Sequence, residues 1–249
     1  MPVADAAASW RVSLVASGAL ALVGLLAWLP VVRRVNDHDD PDERDPRQGL
    51  PWRSATAWTV AAYLALQSCG FYSQLAWLSP SYEARGWSAA SAGMLLALFS
   101  VTQIVSGVAG PALSDRTRDR RPVIAGFVVM SICGLLGMVV APDTLPWLWV
   151  MLLALGQGGG FALGLVLLVD HAPDPAGSAR LSAMAFSISY SVAAAGPVVF
   201  GVLRDATRDF TVPWTVLIAM ACVQLAVVAR LRPVPHGTRA LAAARSTAE

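Results

Sequence analysis

Lysine is absent from this chain: all 18 basic residues among its 249 are arginine. We read that as coding bias of a GC-rich genome, not as chemistry. Charge of either sign is scarce, at 14% of residues, against ~25% in soluble domains. Apart from Arg11 and Arg180 at the very start of their runs, the long apolar runs contain no Asp, Glu, Arg or His. That excludes a proton relay built from this chain alone, because a relay needs an ionisable group within the membrane. It also leaves a buried anion without a countercharge. The three cysteines, Cys69, Cys133 and Cys222, each sit in an apolar run, without a partner at metal-ligand or disulfide-framework spacing. The three histidines, His38, His171 and His236, all lie in polar loops, so neither a metal site nor any other cofactor is expected. HExxH, GxSxG and paired intramembrane carboxylates are missing too, which sets aside an intramembrane enzyme. Nothing points to nucleic acid.

What the chain has in quantity is apolar length. Hydrophobic residues make up 56% and mean hydropathy is +0.57. The class is therefore all-α, a polytopic membrane protein whose first partner is the lipid bilayer. Residues 86–122 set the pattern. A turn at Gly86-Trp87-Ser88 opens some two dozen residues without a charge, and a loop follows that packs in Asp115, Arg116, Arg118, Asp119, Arg120 and Arg121. A soluble helix of that length carries a charged face. This one has none, and its length suits a bilayer core of ~30 Å.

Seven such runs are expected, at about 10–32, 54–78, 88–113, 123–140, 145–169, 180–203 and 212–229. The first is too long for a signal peptide and has no small-residue cleavage pattern after it. A hydrophilic stretch, 33–53, separates it from the other six. Its acidic residues are interspersed with proline and arginine, so it reads as a solvated linker, not a cation cage. Residues 1–32 thus form a tail and first helix, 33–53 a linker, 54–231 a six-helix bundle and 232–249 a tail. Of the 18 arginines, 14 fall in the segments 33–53, 114–121, 170–180 and 230–249. Short arginine-rich loops stay inside, so the N-terminus is expected outside and the C-terminus in the cytoplasm of a bacterial cell.

Polar groups inside the runs are few. Tyr63, Gln67, Gly70 and Gln74 recur at helical spacing and share a face, with Tyr72 and Ser73 beside it. Ser100, Gln103 and Gly107 share another. Gln157 sits within GQGGGFALG, Ser187 and Ser191 share a face next to Tyr190, and Gln224 lies in the last run. Such residues mark a solute pathway, or they hydrogen-bond helix to helix at ~0.6 kcal/mol each on average. Gly156, Gly160 and Gly164 form a small-residue ladder that lets another helix approach, and packing is their expected role. Gly196-Pro197 opens a backbone hydrogen bond and permits a bend.

The one-plus-six division, read with the stretches 70–104, 111–122 and 179–207, resembles the major facilitator superfamily, and within it the cyanate and nitroimidazole transporters of bacteria. The resemblance implies half of a carrier bundle, helices seven to twelve, preceded by a sixth helix. It implies secondary transport of a small solute, such as cyanate or a similar anion or neutral compound, in the bacterial plasma membrane. The 114–121 loop resembles the superfamily's signature loop, with Leu113, Asp115, Arg116, Arg120 and Arg121 at matching positions. The glycine before the Asp is displaced to Gly110 and the second glycine is absent. In the family the Asp caps a neighbouring helix and the basic residues latch the cytoplasmic face. A plain topogenic loop explains the same arginines. Gly196-Pro197 matches the antiporter-type Gly-Pro helix of the other half. Cavity-lining candidates are Gln67, Tyr72, Gln103, Gln157, Ser187 and Tyr190. The N-terminal half of the carrier is the expected partner, and the chain alone is expected not to transport. A non-transporting membrane scaffold is the alternative.

Overall fold

Three helices of the bundle start at a side-chain cap and two at a proline. In the computed structural model, which describes residues 15, 18–19, 22–29 and 49–233, Ser54 Oγ accepts from the Ala57 amide at 3.2 Å and opens α1 (Ala55–Glu83). Ser88 Oγ accepts from the Ser91 amide at 3.1 Å and opens α2 (Ala89–Ser114). Helix α3 (Arg121–Val140) and helix α4 (Pro146–Asp170) carry proline in their first turn, where no amide donor is missed. Asp174 caps α5 (Pro175–Thr207) by accepting from Gly177. Helix α6 (Thr211–Arg230) follows a turn in which Arg208 takes φ 53°. Gly86, at φ 91°, makes the corresponding turn between α1 and α2, a backbone that glycine adopts without a steric penalty.

The chain divides into two units, Met1–Gly49 and Leu50–Glu249. In the first, residues 22–29 are helical and exposed. Residues 15 and 18–19 are helical and exposed as well; the rest of the first expected run, residues 33–48 of the expected linker and the tail from 234 lie outside the described residues. All six helices belong to the second unit, and among the described residues there is no strand.

Two helices overrun their expected ends. Helix α1 passes through Pro80 to Glu83, because a proline in the last turn forfeits one hydrogen bond without ending the helix; the Ala84 amide still reaches Pro80 O at 3.0 Å. Helix α5 absorbs residues expected in loops on both sides. Its 33 residues span about 50 Å, beyond a ~30 Å hydrocarbon core, so its ends project from the apolar layer.

Five helices, α2 to α6, are long and apolar enough to cross a membrane. Helix α1 has the length but not the apolarity. Tyr63, Gln67, Ser68, Ser73 and Gln74 account for this, and all five are buried. Helix α1 packs on α5, α2 on α4, and α3 on both α4 and α6. Two apolar cores result. One joins Val60, Leu64, Ile124, Leu163, Leu167 and Met184 at the arginine-rich end. The other joins Leu78, Leu95, Phe99, Leu135, Leu153 and Trp214 at the opposite end. Between them lie Gln67, Gln74, Ser131, Gln157 and Gln224, all at most 6% exposed. A polar layer is thus clamped between two apolar ones.

Candidate functional site

Four helices converge on a cavity of about 420 Å³. Helix α1 contributes Ser68, Phe71 and Tyr72; α2 contributes Gln103 and Gly107; α4 contributes Gln157, Gly158 and Phe161; α5 contributes Tyr190. Its rim is exposed, with Tyr72 at 38%, Tyr190 at 50% and Ile104 at 66%. The ring of Tyr72 stands 6.4 Å from that of Tyr190, which stacks on Phe186 at 5.8 Å. No carboxylate, arginine or histidine lines the cavity. Its chemistry is aromatic faces, two glutamines and a serine. Glycine at 158 lets α4 come close to α2: a Cβ there would meet Gln103 O and Ser106 Oγ.

Of the six expected lining residues, the structure brings four together here: Tyr72, Gln103, Gln157 and Tyr190. Gln67 and Ser187 stand elsewhere. Ser187 is exposed and its hydroxyl donates to Ala183 O at 2.8 Å within its own helix, the usual back-bonding of a helical serine. Gln67 lies one layer deeper. Its Nε2 donates to Gln157 O at 2.9 Å and to Gln157 Oε1 at 2.8 Å. Its Oε1 accepts from Gln224 Nε2 at 2.6 Å. Beside it, the Tyr63 hydroxyl donates to Gly160 O at 2.8 Å.

These bonds fix which way each amide points. The backbone carbonyl of Gln157 only accepts, so the Gln67 atom facing it is the nitrogen. That nitrogen also faces the Gln157 side chain, whose near atom is therefore the oxygen. The remaining Gln67 oxygen then requires the nitrogen of Gln224. One backbone carbonyl thus orders a chain of three amides running from α6 through α1 to α4. Gln224, as the only amide in its run, and Gln74, on the face already shared by Gln67, were legible as intramembrane polar groups. Their meeting across helices was not.

The glycine ladder divides among neighbours. A Cβ at Gly156 would strike Phe127 O and Ser131 of α3, whereas Gly160 faces Tyr63 and Gln67, and Gly164 faces Leu64 at 2.7 Å, all on α1. Gly134 of α3 sits against the α4 backbone, a Cβ there falling 2.6 Å from Leu153 N and Trp149 O. Gly196 lets α5 close on α1, where a Cβ would stand 2.7 Å from Ser73 Oγ. Helix α5 runs on through Pro197, whose carbonyl accepts from Trp77 Nε1 at 2.9 Å.

At the arginine-rich end the 114–121 loop is tied down. Arg120 Nη1 donates to Ser114 Oγ at 2.5 Å and to Asp115 Oδ1 at 2.8 Å, and its Nε stands 2.9 Å from Asp170 Oδ2 at the end of α4. Arg121 pairs with Asp119 at 2.7 Å and reaches Leu231 O at 3.4 Å, past the end of α6. Arg116 is exposed. The sequence placed Asp170 in a polar loop with no sign that it would meet Arg120. Three helix ends therefore meet in one ion-pair network. At the opposite end Asp209 accepts from the Phe210 amide at 2.7 Å. Hydrogen bonds from Thr211, first its side chain and then its backbone, hold the Asp209 carboxyl below its usual range. Among the described residues no three His, Cys, Asp or Glu side chains are grouped to hold a metal.

The family model described as Major Facilitator Superfamily matches residues 2–197 and 68–246. An uncharacterized transporter, YycB of Bacillus subtilis, is 32% identical over 216 residues, 86% of this chain and 53% of that protein. The cyanate transport protein CynX of Escherichia coli is 36% identical over 158 residues, 64% of this chain and 41% of that protein. The 2-nitroimidazole transporter of Escherichia coli is 29% identical over 213 residues, 86% and 54% respectively. The chain spans about half the length of these curated relatives.

Proposed function

Because this chain belongs to the major facilitator superfamily, we propose that it supplies one six-helix half of a secondary transporter for a small solute. The observation that carries this reading is the cavity of about 420 Å³ among α1, α2, α4 and α5, lined by aromatic rings and neutral amides. Carriers place their substrate near mid-depth at the interface of two repeats. The exposed rim at Ile104 and Tyr190 suits a second half closing over it. The 14 arginines of the loops at one end support placing that end in the cytoplasm.

The lining argues for the solute class. A buried anion wants a countercharge, and the wall offers none. An uncharged planar compound, stacked on Tyr190 and hydrogen-bonded by Gln103 or Gln157, fits it better. Of the two relatives' named solutes, 2-nitroimidazole matches that chemistry more closely than cyanate. An anion would need its countercharge from the facing half.

The test is uptake by proteoliposomes. With this chain alone, neither labelled solute is expected to accumulate. With a complementary six-helix half co-reconstituted, the nitroimidazole is expected to enter, and Tyr190→Ala to weaken it about tenfold, the ~1.4 kcal/mol scale of one lost aromatic contact. Accumulation by the chain alone would refute the half-carrier reading. Uptake of cyanate in preference to the nitroimidazole would refute the solute class.

A further inference from the structure

Behind the cavity wall is a second, much smaller space of about 10 Å³, bounded by Gly70 and Gln74 of α1, Ser131 of α3, Gln157 of α4 and Gln224 of α6. That is room enough for a water molecule. Gln74 is 1% exposed, and its Oε1 has no hydrogen-bond partner. An orphaned acceptor in a low-dielectric interior costs about 1–3 kcal/mol, so its retention needs a physical account. The amide chain supplies one. With Gln157 Oε1 engaged by Gln67, the group that Gln157 has left to offer is its Nε2. That nitrogen and Gln74 Nε2 each lie 3.6 Å from the point where a Cβ on Gly70 would stand, so both amides border the same space. Glycine at 70 leaves that point open.

We propose that this space is a binding site for a single ordered water. It accepts from the Gln157 amide, donates to Gln74 Oε1, and has Ser131 and Gln224 within its walls as further partners. Buried waters make about three such bonds. The water extends the three-amide chain to a fourth glutamine and, at Ser131, to a fourth helix, α3. It lies directly behind Gln157, which lines both this space and the large cavity, so it sets the position of that side chain on the cavity wall. The site does not depend on the transport reading.

Density for an isolated water, at hydrogen-bonding distance from Gln74 and Gln157, is the expected result in a map of the full chain in lipid nanodiscs that resolves ordered solvent. Two variants should lose the peak while keeping the fold. Gln74→Met removes the acceptor at similar volume. Gly70→Ala adds a methyl that meets nothing closer than 3.6 Å but points into the space. Melting temperature should be the same in sodium, potassium and choline chloride. An empty space with the Gln74 amide turned to bond Gln157 directly would overturn the proposal. So would a peak present in sodium and lost in choline, which would make it a cation site.

Discussion

Replacing Gln67 by leucine should be among the most damaging changes available in α1, although leucine is the more lipid-compatible residue. Three hydrogen bonds end on this side chain: two from its nitrogen to Gln157 and one to its oxygen from Gln224. At the membrane average of ~0.6 kcal/mol each they amount to about 2 kcal/mol. The larger consequence falls on the partners. Gln157 and Gln224 are 6% and 5% exposed and would keep buried amides without their mates, at about 1–3 kcal/mol for each left unsatisfied. Partial re-pairing offsets some of this, and we expect a net loss of about 2–4 kcal/mol. Tyr63→Phe, one helical turn away on α1, removes only the contact to Gly160 O and should cost about 0.6 kcal/mol. Equilibrium unfolding in mixed micelles, followed by circular dichroism, reads both. The double variant with Gln224→Leu closes a thermodynamic cycle in which the losses overlap, with a coupling of at least ~0.5 kcal/mol. If Gln67→Leu unfolds within ~0.5 kcal/mol of the parent, or if the two losses simply add, the chain is not a cooperative unit.

Three further outcomes follow from the geometry. Gly134→Ala puts a methyl 2.6 Å from the α4 backbone and should destabilise by about 1–3 kcal/mol or more, whereas Gly126→Ala, with nothing within 4 Å, should be neutral or gain up to ~1 kcal/mol from helix propensity; the same unfolding assay separates them. Arg120→Gln leaves Asp170, 22% exposed, without its cation, and should lower stability by about 1–3 kcal/mol while raising amide exchange at the adjoining ends of α2, α3 and α4. The Asp209 carboxyl is held below its ordinary value of 3.8 by Thr211 and Phe210, so its contribution is present above that value and is lost as pH falls through the lower folded one. Amide protection factors in the first turn of α6, taken relative to the intrinsic exchange rate at each pH, should therefore fall on acidification, and Asp209→Asn should remove that pH dependence.

The helices themselves were legible in the sequence because lipid leaves so little freedom: an uncharged run of some two dozen residues has one stable answer. The ends were less so. Pro80 and the 174–179 segment look like breaks, yet a proline near a helix end and an aspartate cap both serve helices. The polar residues could be counted but not assigned. Gln67 and Gln157 both read as cavity residues, and only the crossing of α1 over α4 decides that one of them serves the other. The ladder Gly156, Gly160 and Gly164 reads as a single stripe, but a spacing of four residues drifts about 40° per step around a helix. By the second glycine the neighbour has already changed from α3 to α1. Asp170 and Arg120 are 50 positions apart in the chain, and no local pattern announces that they meet.

Helix α4 has glycine where it touches α1, where it touches α2 and where it touches α3. In mechanical terms it is an axle without play. Neither rotation nor sliding by the width of a methyl group is available to it without driving a neighbour, and interiors packed this closely do not yield continuously. A push delivered at Asp170 through Arg120 is therefore passed by α4 to its neighbours α1, α2 and α3. Compliance has to reside where the packing stops, at the exposed faces of α2 and α5.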